Sequence, residues 1–238
     1  MSKINLEGIT AVFFDLDGTL VDSVSVVEEI YTKIMLQHGA KFNAPYQQVW
    51  EQFTEQYNPT ETPIFVAWAE FIMNKFNIVG VFASEISDSA RKQIQTAYTT
   101  MGYKAGASDV LHELKKRGMQ LVMVTSASDN HVQVLVENKT INDAAPILDV
   151  FSHAVTSNMT TMRKPHPDPY NMALKLAGVK PEQVLVFEDS LEGVRSARAA
   201  GIENVVIIHD PSSADNLGKM KQMAKLDFKT WKEVLKAL

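Results

Sequence analysis

Residues 12–20 read Val-Phe-Phe-Asp-Leu-Asp-Gly-Thr-Leu, and this stretch decides the fold. Its first half is apolar at nearly every position, which is typical of a strand buried on both faces of a parallel sheet. The strand ends in two carboxylates, Asp15 and Asp17, followed by a glycine turn. Two acids at the end of a buried strand are unfavourable unless a metal ion or a hydrogen-bond network compensates them. Since open α/β sheets bind ligands at the carboxyl ends of their strands, this position predicts a functional site.

The composition is that of an ordinary globular protein. The chain has 238 residues, of which 45% are hydrophobic and 21% charged, enough for one large domain or two smaller ones. The net charge of −5 argues against a protein that binds nucleic acid or membranes mainly through charge. The absence of cysteine excludes disulfides, cysteine-based metal sites and thiol nucleophiles. We find no signal-peptide pattern and no apolar run of the roughly 18 residues that span a bilayer, and expect a cytoplasmic protein.

The chain alternates between strand and helix patterns. Five β-branched, apolar runs predict strands, at residues 9–15, 120–125, 153–156, 184–188 and 204–209. Helical patterns lie before the second run and after the second, third and fourth runs, at 107–117, 130–138, 168–177 and 191–200. Near the end of the sequence, residues 227–238 carry an apolar stripe at helical spacing, which predicts one more helix. We expect this helix to dock on the core through Phe228, Trp231, Val234, Leu235 and Leu238. The alternation predicts right-handed crossovers and a doubly wound α/β fold with a parallel sheet of five or more strands.

The stretch between the first and second predicted strands is different. It has no convincing strand and carries four helical patterns, at about 24–38, 45–57, 62–77 and 84–101, with prolines between them. We therefore predict a helical domain over 22–100, inserted into a catalytic core of 1–21 and 101–238. The aromatic residues Phe53, Tyr57, Phe65 and Trp68 are expected in the core of the inserted domain rather than in contact with a substrate.

Polar residues follow four of the predicted strands or lie in the loops beyond them. Because parallel strands end at one edge of the sheet, we expect these residues to meet in one pocket, although they are far apart in sequence. The clusters are Asp15 with Asp17, Thr125 with Ser126, the segment around Lys164, and Glu188 with Asp189.

These residue types suit phosphoryl transfer to or from a carboxylate. A phosphate monoester needs cations to offset its charge, a nucleophile in line with the leaving group and a proton for the leaving oxygen. Lys164 supplies one cation, and the hydroxyl of Thr125 or Ser126 orients the phosphate. Mg²⁺ prefers oxygen ligands, which Asp15, Asp189 and a backbone carbonyl near Asp17 offer.

The four clusters resemble the four motifs of the haloacid dehalogenase-like hydrolase superfamily, in the right order. Residues 15–23 resemble the first motif, and Thr125-Ser126, Lys164-Pro165 and Glu188-Asp189 the other three. Residues 164–170 and 187–201 are similar to the branch that contains β-phosphoglucomutase-like proteins and sugar-phosphate phosphatases. The resemblance covers essentially the whole chain. It implies a Rossmann-like core with an inserted helical cap.

The resemblance also implies a role for each matching residue. Asp15 is the expected nucleophile, which forms an aspartyl-phosphate, and Asp17 the general acid and then the general base. Thr19 is expected to steady Asp17. For phosphate binding the resemblance implies Thr125, Ser126, Lys164 and Gly18, whose turn lets the backbone approach the phosphate. For Mg²⁺ it implies Asp15, the Asp17 carbonyl, Asp189, and Glu188 as a ligand or just outside the ligands.

The resemblance leaves three functions open. A phosphatase acting on a small phosphorylated metabolite, such as a sugar, polyol or nucleoside phosphate, is favoured. A phosphosugar mutase is less favoured because residues 42–72 contain no Lys or Arg to retain a bisphosphate. The third is a catalytically degenerate binding or regulatory protein. Arg91, Lys92 and Lys104 are further candidates for contact with a charged substrate. We expect no nucleic-acid or membrane partner, and a monomer or small homo-oligomer.

Overall fold

The computed structural model describes residues 3–41, 46–54, 56–57 and 64–238. The chain divides into two compact units. Met1–Ser23 and Tyr98–Leu238 form the first, called here the sheet unit, and Val24–Ala97 forms the second, the helical unit. These joints lie two or three residues from the predicted ones at 21/22 and 100/101. That the units are separate domains stays a prediction.

Within the described residues, six parallel strands form one sheet, which confirms the predicted fold class. The strands are β1 Ala11–Phe14, β2 Gln120–Val124, β3 His153–Val155, β4 Val184–Glu188, β5 Asn204–Ile208 and β6 Leu226–Phe228. Their order is β3-β2-β1-β4-β5-β6, so β1 lies between β2 and β4. The chain winds outward from β1 in both directions. The order therefore reverses at β1, and ligands of open α/β sheets bind at such a point.

Twelve α-helices are present in the described part of the chain. In or bordering the helical unit are α1 Ser23–Gln37, α2 Tyr46–Thr54, α3 Ile64–Phe76 and α4 Ala83–Tyr98. The sheet unit contains α5 Ala107–Lys116, α6 Asp129–Glu137, α7 Lys139–Ala144, α8 Ile147–Val150, α9 Asp168–Ala177, α10 Leu191–Ala199, α11 Leu217–Lys221 and α12 Trp231–Ala237. None of these helices is long and apolar enough to cross a membrane.

Helices cover both faces of the sheet, as the apolar β1 predicts. Successive side chains of a strand point to opposite faces. Phe13 belongs to one hydrophobic cluster with residues of α9 and α10, among them Tyr170. The ring of Phe14 lies 5.2 Å from that of Phe187 and 6.0 Å from that of Trp231, at the start of α12. Burial on both faces explains why β1 has no polar residue before Asp15.

An aromatic cluster fills the interior of the helical unit. Trp68 is completely buried, and its ring lies 5.0 Å from that of Trp50 and 5.2 Å from that of Phe53. The prediction that Phe53 and Trp68 are core residues is confirmed. Tyr57 and Phe65, predicted beside them, are only half-buried.

The closing segment departs from its prediction. Residues 227–238 were expected to form one helix, but Phe228 belongs to β6, which pairs with β5, and the helix begins at Trp231. Leu235, placed on the buried stripe, is 37% exposed, whereas Trp231 and Val234 are buried as expected. A three-residue strand is too short for its alternation to be distinguished from helical spacing.

Candidate active site

Three carboxylates converge at the carboxyl ends of β1 and β4. Asp15 directly follows β1, and its backbone N–H donates to the Phe187 carbonyl of β4 over 3.0 Å. Glu188 ends β4, and Asp189 comes next. One carboxylate oxygen from each of Asp15, Glu188 and Asp189 lies within 4.8 Å of the others. All three residues are buried, so they repel one another in a medium that screens charge poorly.

Lys164 places a positive charge among these acids. Its Nζ donates to Oδ1 of Asp15 over 2.6 Å, to Oε1 of Glu188 over 2.6 Å and to the Val124 carbonyl over 2.9 Å. The lysine side chain is only 5% exposed. Although burial favours the neutral amine, the Asp15 and Glu188 carboxylates outweigh it and raise the pKa of Lys164 above its usual value. Lys164 is therefore a fixed cation.

Neighbouring donors hold the Glu188 carboxylate on both oxygens. Oε1 accepts from the Tyr170 hydroxyl over 2.7 Å, in addition to Lys164. Oε2 accepts from the Ser190 hydroxyl over 3.1 Å and from the Asp189 backbone N–H over 3.2 Å. A buried carboxylate with this many donors has a set orientation.

The crowding of the acids changes their proton affinity. Burial raises the pKa of Asp15 from 3.8 to about 7; Lys164 opposes the shift, and Glu188 and Asp17 add to it. Burial also raises the pKa of Asp189 well above its usual value, helped by the Asp15 and Glu188 charges. Acids that resist ionisation because they are buried beside other acids need a further cation before all of them carry a charge.

Asp17 lies in a separate group of hydroxyls. Its Oδ1 accepts hydrogen bonds from the Ser23 hydroxyl over 2.5 Å and from the Tyr98 hydroxyl. Its Oδ2 accepts from the Thr125 hydroxyl over 3.3 Å, which connects the turn after β1 to the end of β2. Burial raises the pKa of Tyr98 well above its usual value, so this hydroxyl remains protonated.

The turn after Asp17 is held by its backbone carbonyls. Lys104 Nζ donates to the Gly18 carbonyl, and the Lys104 backbone N–H donates to the Leu20 carbonyl over 2.7 Å. The indole Nε1 of Trp231 donates to the Thr19 carbonyl over 2.9 Å. Gly18 has a φ of +85°, which favours glycine because it has no Cβ. Three consecutive carbonyls are thus fixed from outside the turn.

The structure brings together most of the residues that the sequence singles out. Direct contacts join Asp15, Lys164 and Glu188, and another joins Asp17 to Thr125. Ser126 is exposed, and no contact in the described part of the chain joins its side chain to this group. The hydroxyl of Thr19 donates over 2.7 Å to Asp189 rather than to Asp17, so its expected partner was wrong.

Several contacts at the site had no recognisable signal in the sequence. In the sequence, Tyr98 and Tyr170 have the spacing of ordinary buried aromatic residues of helices. Nothing in that spacing shows that their hydroxyls donate to Asp17 and Glu188. Lys104 was expected only as a substrate contact. Its Nζ instead forms a 2.5 Å ion pair with Asp210, which follows β5. The Lys104–Asp210 and Tyr98–Asp17 pairs connect residues 106 and 81 positions apart, which no local pattern encodes.

The acidic cluster fits a magnesium ion. Mg²⁺ is a hard cation that takes oxygen ligands and is bound by one or two carboxylates together with substrate phosphate. Asp15 and Asp189 offer such oxygens within 4.8 Å of each other, and burial, together with the neighbouring acids, raises the pKa of both carboxyls. The described residues hold no cysteine or histidine in this cluster that would favour a softer metal.

A model of one protein family matches residues 9–201, a range that contains every residue of this site except Asp210 and Trp231. Its description is haloacid dehalogenase-like hydrolase. The chain belongs to this family of hydrolases. The membership confirms the resemblance of the four motifs.

Curated relatives align with most of this hydrolase. Protein CbbY of Cereibacter sphaeroides is 27% identical and covers 83% of this chain and 84% of its own. Validoxylamine A 7'-phosphate phosphatase of Streptomyces hygroscopicus subsp. limoneus is 28% identical, with 79% and 81% covered. Hexitol phosphatase A of Escherichia coli strain K12 is 29% identical, with 87% and 86% covered.

Solved structures share the fold of this hydrolase. CbbY from Rhodobacter sphaeroides in complex with phosphate superposes with a TM-score of 0.73 at 21% identity, covering 97% of this chain and 99% of that one. A putative beta-phosphoglucomutase from Thermotoga maritima gives a TM-score of 0.71 at 20% identity, covering 96% and 97%. The predicted Rossmann-like core with inserted helices is confirmed as the fold.

Proposed function

We propose that this hydrolase is a Mg²⁺-dependent phosphatase that cleaves a small phosphorylated sugar, polyol or nucleoside through an aspartyl-phosphate. The observation that carries the proposal is the buried group of Asp15, Glu188 and Asp189 around Lys164, at the point where the strand order reverses. Relatives named as phosphatases of a validoxylamine phosphate, hexitols and carbohydrates support a phosphoric monoester substrate.

The reaction needs one nucleophile and one group that moves a proton. The Asp15 carboxylate attacks phosphorus, and the bond from phosphorus to the leaving oxygen breaks. Asp17 gives its proton to that oxygen, so a neutral alcohol departs. Asp17 then takes a proton from water as the water attacks the aspartyl-phosphate. This step releases inorganic phosphate and restores Asp15.

The phosphoryl group is held by the residues nearest to Asp15. Because Lys164 Nζ already lies 2.6 Å from Oδ1 of Asp15, its charge is adjacent to a phosphoryl group bound to that carboxylate. The hydroxyls of Thr125 and Ser126 are the proposed donors to phosphate at the end of β2. Gly18 has no Cβ, so the backbone of the turn can approach the phosphate.

Magnesium is proposed on Asp15, the Asp17 carbonyl and Asp189. When bound, it would offset the charge of the phosphoryl oxygens. Glu188 is assigned the position just outside the ligands, because both its oxygens already accept hydrogen bonds. In that position it orients Lys164.

The first experiment measures hydrolysis of para-nitrophenyl phosphate with Mg²⁺ and after its removal by chelation. We expect the wild type to require Mg²⁺, and Asp15→Asn to lose activity by at least about 10³-fold, because the covalent step has no nucleophile. The control is Asp143→Asn, an exposed carboxylate paired with Lys139. Equal activity in the wild type and Asp15→Asn would reject the proposal and favour the degenerate binding protein.

A second measurement distinguishes a phosphatase from a mutase. Phosphorylated sugars, polyols and nucleosides are incubated with the enzyme, and both free phosphate and isomerised ester are assayed. We expect stoichiometric phosphate release from the best substrate. An isomerised hexose phosphate without free phosphate would overturn the choice of phosphatase.

A further inference from the structure

We propose that Tyr98 and Ser23 are positioning residues that hold Oδ1 of Asp17 and so leave Oδ2 as the oxygen that transfers the proton. The inference rests on the proposed function, in which Asp17 protonates the leaving group. Neither hydroxyl touches the nucleophile Asp15 or the cation Lys164 in any described contact.

The two oxygens of Asp17 have unequal surroundings. Oδ1 accepts from both the Ser23 and the Tyr98 hydroxyl, the first at 2.5 Å. Oδ2 has a longer contact of 3.3 Å, with the Thr125 hydroxyl. Because two hydroxyls already donate to Oδ1 and only one donates to Oδ2, Oδ2 is the oxygen left to reach a leaving group. The Thr125 oxygen also accepts the Ala127 backbone N–H over 2.9 Å, which directs its own hydrogen toward Oδ2 when Asp17 is ionised.

Tyr98 is itself rigidly held. The residue is 4% exposed, and its backbone carbonyl accepts from Nδ2 of Asn138 over 2.7 Å. That amide also donates to the Met101 carbonyl over 2.8 Å, and its oxygen caps α7 by accepting the Ile141 N–H. An anchored phenol loses little conformational entropy when it donates, so its hydrogen bond fixes the carboxylate effectively.

Both donors lie at joints of the chain. Ser23 is the last residue of the sheet unit before the helical unit, and Tyr98 is the first residue after it. The chain segments that enter and leave the helical unit therefore each donate one hydrogen bond to Oδ1 of Asp17. Asp17 is thus oriented by residues outside its own turn.

The leaving-group dependence of the reaction tests this role. Phenolate is a poorer leaving group than para-nitrophenolate, so hydrolysis of phenyl phosphate needs the Asp17 proton more. We expect Tyr98→Phe to lower kcat/KM for phenyl phosphate by about tenfold, the effect of one lost hydrogen bond, and for para-nitrophenyl phosphate by less than about threefold. Tyr103→Phe is the matched control, because that hydroxyl donates over 2.8 Å to the Ala145 carbonyl, away from Asp17.

The outcomes separate this inference from the proposed function. Equal losses for both esters in Tyr98→Phe, or no loss, would overturn the positioning role while Asp15→Asn remains inactive. Activity unaffected by Asp15→Asn would instead reject the proposed function. In an Asp17→Asn background Tyr98→Phe should cause no further loss, since it acts through Asp17. If Tyr98→Phe does not fold, Ser23→Ala removes the other donor and must show the same unequal losses.

Discussion

At the scale of single residues, the buried Glu188 carboxylate restricts what can stand at Gly193. A Cβ on Gly193, in α10, would lie 2.0 Å from both Cδ and Oε1 of Glu188, closer than any real contact. We expect Gly193→Ala to destabilise the protein by about 1–3 kcal/mol, because the carboxylate must leave Lys164 and Tyr170 or the helix must shift. Urea unfolding measures the change.

A second helical glycine provides the control. Gly218, in α11, has nothing within 4 Å of the same ideal Cβ. Gly218→Ala should therefore leave stability unchanged or raise it by up to about 1 kcal/mol through helix propensity. A Gly193→Ala variant as stable as Gly218→Ala would contradict the close approach to Glu188.

At the scale of elements, one ion pair connects the turn after β1 with the segment before α5 and the end of β5. Lys104 donates to the Gly18 carbonyl and pairs with Asp210, whose side chain is 3% exposed. We expect Lys104→Met to destabilise the protein by about 3–5 kcal/mol in urea unfolding, because it leaves a buried carboxylate without its cation. Adding Asp210→Asn should recover part of that loss.

Lys139 is the matched surface lysine. It forms an ion pair of the same 2.5 Å length with Asp143, but its side chain is 85% exposed. Lys139→Met should change stability by no more than about 0.5 kcal/mol. Similar losses for Lys104→Met and Lys139→Met would show that the Lys104 pair does not hold the turn.

The elements themselves were largely predictable. Each of the five predicted strands is present, because long apolar or β-branched runs such as β1 and β4 have few alternatives to a buried strand. β6 was missed since its three residues form a strand only by pairing with β5. The helical pattern at 84–101 also extended beyond the real end of α4 at Tyr98, whose hydroxyl contacts Asp17.

At the scale of the whole molecule, the acidic cluster makes stability depend on pH. Burial raises the pKa of Asp15 from 3.8 to about 7, so between these pH values the folded chain keeps a proton that the unfolded chain has released. The contribution of Asp15 to the free energy of unfolding therefore falls as pH rises through this window, by up to about 4 kcal/mol. Urea unfolding of the metal-free protein across the window, compared with Asp15→Asn, measures this fall, which should be smaller in the variant because the contribution of Asp15 is removed and that of Asp189 remains.

Magnesium should reverse this loss. Because the ion and the proton compete for the same carboxylates, Mg²⁺ is expected to raise the melting temperature more above the window than below it. Asp189→Asn should reduce the increase. An equal increase at both pH extremes, or an undiminished one in Asp189→Asn, would show that the ion binds elsewhere.

The sequence by itself determined the parallel sheet, the inserted helices and the identity of the acids, hydroxyls and lysine at the strand ends. These features follow from apolar runs and from residue types placed beside them, which are local properties of the chain. Only the tertiary structure decided that β1 lies at the reversal of strand order, that Lys104 pairs with Asp210, and that Tyr98 donates to Asp17. Such contacts join residues that are distant in sequence, and the packing of buried groups selects them.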